Sequence, residues 1–160
     1  MLLESTRFGE IEVDDHDVLV LPDGLIGLPG TTYTLITTND QSPFRWLHST
    51  EDPELALPVS SPWSFFSDYE VRVPDDDVSS LGLDDASGAE ILCVVKAAET
   101  LEDFTINLAA PIVIHRGRRL ARQVINEVVG YDVRQRLLSD DQLDQLRSAD
   151  TATEARASSL

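Results

Sequence analysis

Residues 44–70 decide the fold of this chain, and they read FRWLHSTEDPELALPVSSPWSFFSDYE. Apolar and polar residues alternate at the start of this stretch, as in a half-buried β-strand. The alternation places Phe44 and Trp46 on one face and Arg45 and Leu47 on the other. The first part of the stretch therefore predicts a strand.

The strand is followed by a turn signal. Asp52 and Pro53 suit a type I turn, because proline presets φ at the second position and the preceding aspartate can bond the backbone. Leu55, Leu57 and Val59 then restore the alternation. These features predict a wide β-hairpin with an acidic tip.

The rest of the chain also has strand character, with short alternating runs separated by glycine and proline. The further predicted strands are residues 2–6, 10–13, 18–21, 33–37, 69–73, 90–97, 105–108, 111–115 and 120–125. Many short strands without a βαβ rhythm predict a mainly β, antiparallel, barrel-like single domain with one or two short helices. Alternation alone does not separate a closed barrel from a sandwich.

A short helix is predicted after Pro74. The aspartates at 75–77 suit the positive end of a helix dipole, and Gly82 suits the helix end. Residues 139–142 have the sequence pattern of a capping box, with Leu138 and Leu143 placed as the flanking hydrophobic pair. We therefore divide the chain into a β-barrel domain at 1–136 and an extension at 137–160, with a helix at about 140–148 and a disordered tail after it.

The chain is strongly acidic, with a formal net charge of -17 from 29 acidic and 12 basic residues. Nucleic acids and anionic membranes both require positive counter-charge, so direct binding to either is not expected. The charge favours basic partners. The simpler interpretation is an acidic surface that serves solubility or salt adaptation.

The sequence predicts a cytoplasmic protein. No stretch approaches the roughly 20 apolar residues of a membrane helix, and the start of the chain lacks the pattern of a signal peptide. Cys93 is the only cysteine, so no internal disulfide is possible. Its position among Leu and Val predicts an inert buried thiol.

No motif predicts catalysis or a bound cofactor. The carboxylates near residues 14–17, 75–77 and 84–85 are adjacent rather than alternately spaced, so they do not predict a metal site. His16, His48 and His115 are scattered, and the chain lacks the common hydrolase and nucleotide-binding motifs. We expect no enzyme activity, no cofactor and no metal.

The basic residues concentrate at one turn. Arg116, Arg118, Arg119 and Arg122 lie close together in sequence. Alone they could contact phosphates. In so acidic a chain, a hairpin whose arginines pair with nearby carboxylates is the favoured interpretation, and an acidic protein partner is the alternative.

Residues 44–70 resemble the FliW family of flagellar assembly factors, which carry a similar aromatic-Trp-Leu, Glu-Asp-Pro-Glu-Leu-Ala and Phe-Phe-x-Asp-Tyr-Glu series. The resemblance covers roughly residues 6–136. Further matching pieces are Phe8-Gly9-Glu10-Ile11, Leu21-Pro22-Asp23-Gly24-Leu25, Thr105, Asn107-Leu108, Ala110-Pro111-Ile112-Val113-Ile114, Arg122-Gln123-Val124, Tyr131 and Arg134. The chain departs from the family pattern at Leu21, Ile26, Leu28 and His115.

The resemblance implies a barrel-like fold and a non-enzymatic regulator of flagellum assembly. Members of the family bind CsrA, an RNA-binding translational repressor, and also bind flagellin. The expected partners are therefore a CsrA-type regulator and flagellin. The candidate partner-binding residues are Phe44, Trp46, Glu51, Asp52, Glu54, Asn107, Pro111, Arg122, Tyr131 and Arg134.

Two alternative functions remain open at this point. The first is an acidic module that mimics a nucleic acid and competes directly for a basic groove. The second is a β-barrel that binds a small ligand, which a deep interior cavity with convergent polar groups would favour.

Overall fold

The computed structural model describes residues 1–28, 30–84 and 88–139. These described residues form eleven strands and one α-helix, α1, at Asp75–Leu81. The strands are β1 Leu2–Ser5, β2 Gly9–Glu12, β3 Val18–Val20, β4 Thr32–Ile36, β5 Phe44–Ser49, β6 Ala56–Ser60, β7 Ala89–Lys96, β8 Thr105–Ile106, β9 Ile112–His115, β10 Leu120–Gln123 and β11 Gln135–Arg136. Short 3₁₀ turns lie at Asp15–Asp17, Pro62–Ser64 and Leu101–Asp103.

The structure closes as a barrel, which decides between the barrel and the sandwich. Seven strands follow one another in the order β7-β6-β5-β4-β3-β10-β9, and β7 pairs with β9 to complete the circle. Strands β8 and β11 extend the sheet beyond β7. The predicted mainly β, antiparallel architecture is confirmed, although β3 and β10 pair in parallel through Val20 and Leu120.

The barrel interior is filled with side chains rather than open. Its core consists of Leu19, Leu21, Leu25, Tyr33, Leu47, Val59, Leu92, Ile112, Ile114 and Ala121. A second cluster lies where β7 and β8 leave the barrel, and a third lies under α1. The packed interior counts against a deep ligand cavity inside the barrel.

The predicted hairpin at residues 44–59 is confirmed. Strands β5 and β6 pair from Phe44 opposite Ser60 to His48 opposite Ala56, and the acidic residues form the tip. A second hairpin, β1–β2, packs on the outside of β5. Thr6 donates its N–H to the carbonyl of Pro53 at 2.9 Å, which joins the second hairpin to the tip of the first.

The strand predicted at 69–73 is wrong. This segment forms no strand. The N–H of Glu127 donates to the carbonyl of Arg72 at 3.0 Å, but the neighbouring bonds are made by the side chain of Asn126 rather than by a paired backbone. Asn126 Oδ1 accepts from the N–H of Arg72 at 3.0 Å, and its Nδ2 donates to the carbonyl of Glu70 at 2.9 Å. The two-residue strand β11 was not predicted, since its backbone pairing with β8 leaves no periodic pattern.

The helix predicted after Pro74 is confirmed. Three aspartates occupy the first turn of α1, where negative charge is favourable. Gly82 ends the helix with φ of 71°, a left-handed conformation that favours glycine. Leu81, at the end of the helix, is fully buried against the barrel.

The predicted helix at about 140–148 and the tail after it lie outside the described residues. Leu137, which we assign to the extension from sequence, is 1% exposed and packs in the second core cluster. The packed part of the chain therefore reaches at least residue 137.

Candidate partner-binding surfaces

The β1–β2 hairpin presents an acidic face. Glu4 lies directly opposite Glu10, and Glu12 lies opposite Leu2, so all three carboxylates share one face of the hairpin. All three are exposed. Like charges directly opposite one another destabilise a hairpin, so this arrangement has a cost to stability that a basic partner would relieve.

Sequence analysis did not identify these three glutamates as candidates. The signal was present, because Glu10 and Glu12 alternate with Ile11. What the sequence could not show is the register that places Glu4 beside them. The register depends on pairing between two strands.

Glu51, at the tip of the β5–β6 hairpin, is held by bonds within the protein. Its Oε1 accepts from the N–H groups of Thr31 and Thr32 at 3.0 and 3.1 Å and from the hydroxyl of Thr32 at 2.9 Å. These bonds, led by the one from the Thr31 N–H, lower the pKa of Glu51. The residue therefore fixes the tip to the start of β4.

The other two acidic residues of the tip differ from Glu51. Asp52 Oδ1 accepts from the N–H of Glu54 at 2.9 Å and shapes the turn. Both side chains are exposed. Because the tip joins the β1–β2 hairpin, these carboxylates extend the acidic face, which we define as Glu4, Glu10, Glu12, Asp52 and Glu54.

The aromatic candidates divide between core and surface. Phe44 packs in the second core cluster, 5.7 Å from Phe65 between ring centroids. Trp46 is half-buried on the outer side of β5, where Phe8 meets it edge to face and Arg7 lies 4.4 Å over its ring. Trp63 lies at the surface and is 42% exposed.

Trp63 borders an apolar groove. Its Nε1 donates to the carbonyl of Tyr69 at 2.9 Å, which fixes the ring. The groove is lined by Val71, Val73, Val78, Leu83, Ala89 and Ile91. An exposed, fixed indole beside apolar side chains is a common feature of protein-binding sites.

A separate cleft lies at the end of the barrel where β8 and β11 extend the sheet. Its apolar surface comes from Leu25, Ile26, Leu28, Leu57, Val94 and Val133, and its polar residues are Lys96, Thr105, Asn107, Gln123 and Arg134. The cleft has a volume of about 290 Å³. We call this cleft, defined by the residues just named, the end cleft. It brings together two of the candidates from sequence, Asn107 and Arg134.

Arg122 and Pro111 have structural roles. Arg122 bridges two elements, with its guanidinium 2.7 Å from Asp23 Oδ2 and 3.0 Å from Asp77 Oδ1. Pro111 is buried, and its carbonyl accepts from the N–H of Val124 at 2.9 Å. The prediction that basic residues near this turn pair with carboxylates is confirmed for Arg122, and also for Arg116, which pairs with Glu90.

Tyr131 belongs to a network in the second core cluster. Its hydroxyl accepts from the N–H of Glu70 at 2.8 Å, and its ring meets that of Tyr69 edge to face. Tyr69 donates to the carbonyl of Leu108 at 2.8 Å. Burial raises the pKa of the Tyr69 phenol, and burial also raises the pKa of the adjacent Cys93 thiol to about 12, so Cys93 is not a reactive thiolate near neutral pH.

The candidates thus fall into separate groups rather than one site. Asn107 and Arg134 meet at the end cleft, and Asp52 and Glu54 lie on the acidic face. Phe44, Glu51, Pro111, Arg122 and Tyr131 are engaged within the protein. In the described ranges no three His, Cys, Asp or Glu side chains converge as metal ligands would.

None of the helices in the described part of the chain has the length and apolar character needed to span a membrane.

Comparison with known proteins gives a consistent result. The model of the FliW protein family matches residues 2–137. A flagellar assembly factor FliW from Magnetococcus marinus is 36% identical over 149 residues, which cover 92% of this chain and 91% of the relative. One from Geobacter sulfurreducens is 36% identical over 127 residues, covering 79% of this chain and 80% of the relative. A crystal structure of the flagellar assembly factor FliW superposes with a TM-score of 0.81 at 28% identity, covering 88% of this chain and 99% of that chain.

Proposed function

Because this chain belongs to the FliW family of flagellar assembly factors, we propose that it is a non-enzymatic cytoplasmic antagonist of a CsrA-type RNA-binding regulator. In this proposal it also binds flagellin, and exchange between the two partners couples flagellin translation to flagellin export. The resemblance of residues 44–70 and the later motifs to this family supports both partners.

The observation that carries the first partner is the acidic face. An RNA-binding protein presents a basic surface, and a negative field raises the rate at which such a protein associates. Glu4 and Glu10 face each other while exposed, so contact with a basic partner relieves their repulsion. Once docked, a protein of net charge -17 also repels RNA phosphates from its partner.

The test is the affinity of purified CsrA for its RNA, with and without this protein, across salt concentrations. We expect the protein to weaken RNA binding, and the effect to decline with rising salt because exposed charges are screened. The variant Glu4→Lys with Glu10→Lys should lose most of the effect. Adding flagellin to the complex should restore RNA binding.

The matched control reverses the same amount of charge elsewhere. Asp40 and Asp68 are exposed and lie outside the acidic face, so Asp40→Lys with Asp68→Lys should retain most of the antagonism. Equal losses in the two double variants would show that only net charge matters. Antagonism indifferent to salt would contradict the electrostatic part of the proposal.

The same titration separates the nucleic-acid mimic from this proposal. A mimic that occupies the RNA groove is displaced completely at saturating RNA. An antagonist that binds beside the groove forms a ternary complex or lowers the maximal amount of RNA bound.

A further inference from the structure

We propose that the end cleft binds an apolar segment of a partner protein that carries acidic side chains. This inference goes beyond the proposed function, because the acidic face attracts a basic protein and the end cleft selects the opposite charge. Three observations support it, namely exposed apolar side chains, two cations that form no salt bridge with any described carboxylate, and a turn fixed by hydrogen bonds.

Large apolar residues that line the end cleft are exposed. Ile26 is 62% exposed and Val133 is 59% exposed. Leu57 and Val94 from the barrel line the cleft as well. A pair of large exposed apolar side chains around a concave surface is characteristic of a site that buries apolar groups of a partner.

The charge of the end cleft is opposite to that of the whole protein. Lys96 and Arg134 line the cleft, and no described residue that lines it is acidic. In the described part of the chain neither cation takes part in a salt bridge. Lys96 and Arg134 therefore give the lining of the cleft a positive charge, which suits acidic side chains on a bound segment.

The turn that presents Ile26 is fixed before any partner binds. Leu28 donates its N–H to the carbonyl of Leu25 at 3.1 Å, and Gly27 has φ of 78°, as the third position of a type II turn requires. Gln123 holds this turn, because its Oε1 accepts from the N–H of Ile26 at 2.8 Å. Its Nε2 donates to the carbonyl of Ala110 at 3.1 Å.

Ile26 occupies the second position of this turn, and its N–H is the group that donates to Gln123. This bond orients an exposed apolar side chain at the cleft. Gln123 is therefore a positioning residue for the end cleft.

The size of the end cleft suits side chains of a polypeptide better than a cofactor. Its volume of about 290 Å³ lies at the lower limit of small-molecule sites, which begin at about 300 Å³. Asn107 contributes a polar group at the wall. Its Oδ1 accepts from the N–H of Ala110 at 3.0 Å, and its Nδ2 has no hydrogen-bond partner among the described residues, so it can donate to a backbone carbonyl of the segment.

The experiment uses two synthetic 12-residue peptides with leucine at every third or fourth position. One carries glutamate at the remaining positions, and the other carries lysine. Each is titrated into the ¹⁵N-labelled full chain at physiological salt, and backbone amide shifts are recorded. We expect the glutamate peptide to shift the amides of Ile26, Asn107 and Val133, and the lysine peptide to leave them unchanged.

Charge reversal tests the role of the two cations. Lys96→Glu with Arg134→Glu should weaken binding of the glutamate peptide about tenfold or more. Arg72→Glu with Arg118→Glu makes the same change at exposed residues outside the end cleft and should leave binding nearly unchanged. Equal binding of both peptides, or shifts confined to other surfaces, would overturn the proposal.

Other occupants give distinct results that would also overturn it. A second copy of the chain would produce a dimer in sedimentation that Ile26→Asp dissociates. Occupation of the cleft by residues 140–160 of the same chain is tested with a nitroxide attached at position 150 through Asp150→Cys. In that case the nitroxide would broaden the amide signals of Ile26 and Val133 in the full chain. Because Cys93 is buried, the label reacts only at the introduced thiol. None of these measurements involves the RNA-binding regulator, so their failure is distinguishable from failure of the proposed function.

Discussion

At the scale of single residues, buried polar groups fix the outer hairpin to the barrel. Ser5 Oγ accepts from the N–H groups of Arg7 and Phe8, which occupy both of its lone pairs. The same oxygen lies 2.8 Å from His48 Nε2 and is hydrogen-bonded to it. His48 Nδ1 is bonded in turn to the carbonyl of Ser49 at 2.6 Å.

Glu51 provides a prediction on pH dependence. Its folded-state pKa is lowered from the ordinary value of 4.5, so its contribution to stability is present above that value and is lost as pH falls toward the lowered pKa. We expect Glu51→Gln to reduce the loss of stability between about pH 5 and about pH 3. Urea unfolding at a series of pH values measures this.

Glu54→Gln is the matched control, because Glu54 is an exposed acid of the same tip whose carboxylate makes no bond among the described residues. Its pH profile should follow that of the parent. The explanation fails should both variants change the profile by the same amount.

At the scale of elements, α1 is attached through both of its ends. Asp77 in its first turn forms a salt bridge with Arg122 of β10. Leu81 in its last turn packs against the third core cluster, which lies beneath the helix. Gly82 ends the helix and approaches Arg118 so closely that an added Cβ would lie 2.6 Å from the guanidinium carbon.

Gly82→Ala should lower the free energy of unfolding by about 1–2 kcal/mol, because a residue with a Cβ is strained in the left-handed region. Chemical denaturation measures the change. Repeating the substitution in an Arg118→Ala background separates the two causes. We expect Gly82→Ala to lower the free energy of unfolding in the Arg118→Ala background as well, because backbone strain does not depend on the arginine. If the effect disappears in that background, the contact with Arg118 is its cause.

At the scale of the whole molecule, the excess of acidic residues implies self-repulsion. The net charge of -17 opposes the compact state, and the Debye length falls from about 30 Å at 0.01 M salt to about 10 Å at 0.1 M. We therefore expect the midpoint of thermal unfolding to rise as NaCl increases over this range. Circular dichroism measures the midpoint.

The variant with Asp40→Lys and Asp68→Lys is four charges less negative and serves as the control. Its thermal midpoint should rise less over the same range of salt. A midpoint that is unchanged or falls in the parent would show that the acidic residues are already compensated in the folded state.

The sequence by itself determined the elements that depend on neighbouring residues. The β5–β6 hairpin, α1 and most strands follow from alternation, turn residues and the glycine at 82, because these signals act within a few residues. The segment at 69–73 has the same alternation, yet it is bound by Asn126, which lies far from it in sequence. Local pattern alone could not distinguish this segment from a true strand.

Only the tertiary structure decided which residues meet. The acidic face requires the register of β1 with β2, and the end cleft requires β7, β10 and the turn at 25–28 to converge. Closure of the barrel is likewise settled by β7 pairing with β9. The physical reason is that alternation assigns a side chain to a face, whereas long-range strand pairing decides what stands beside it.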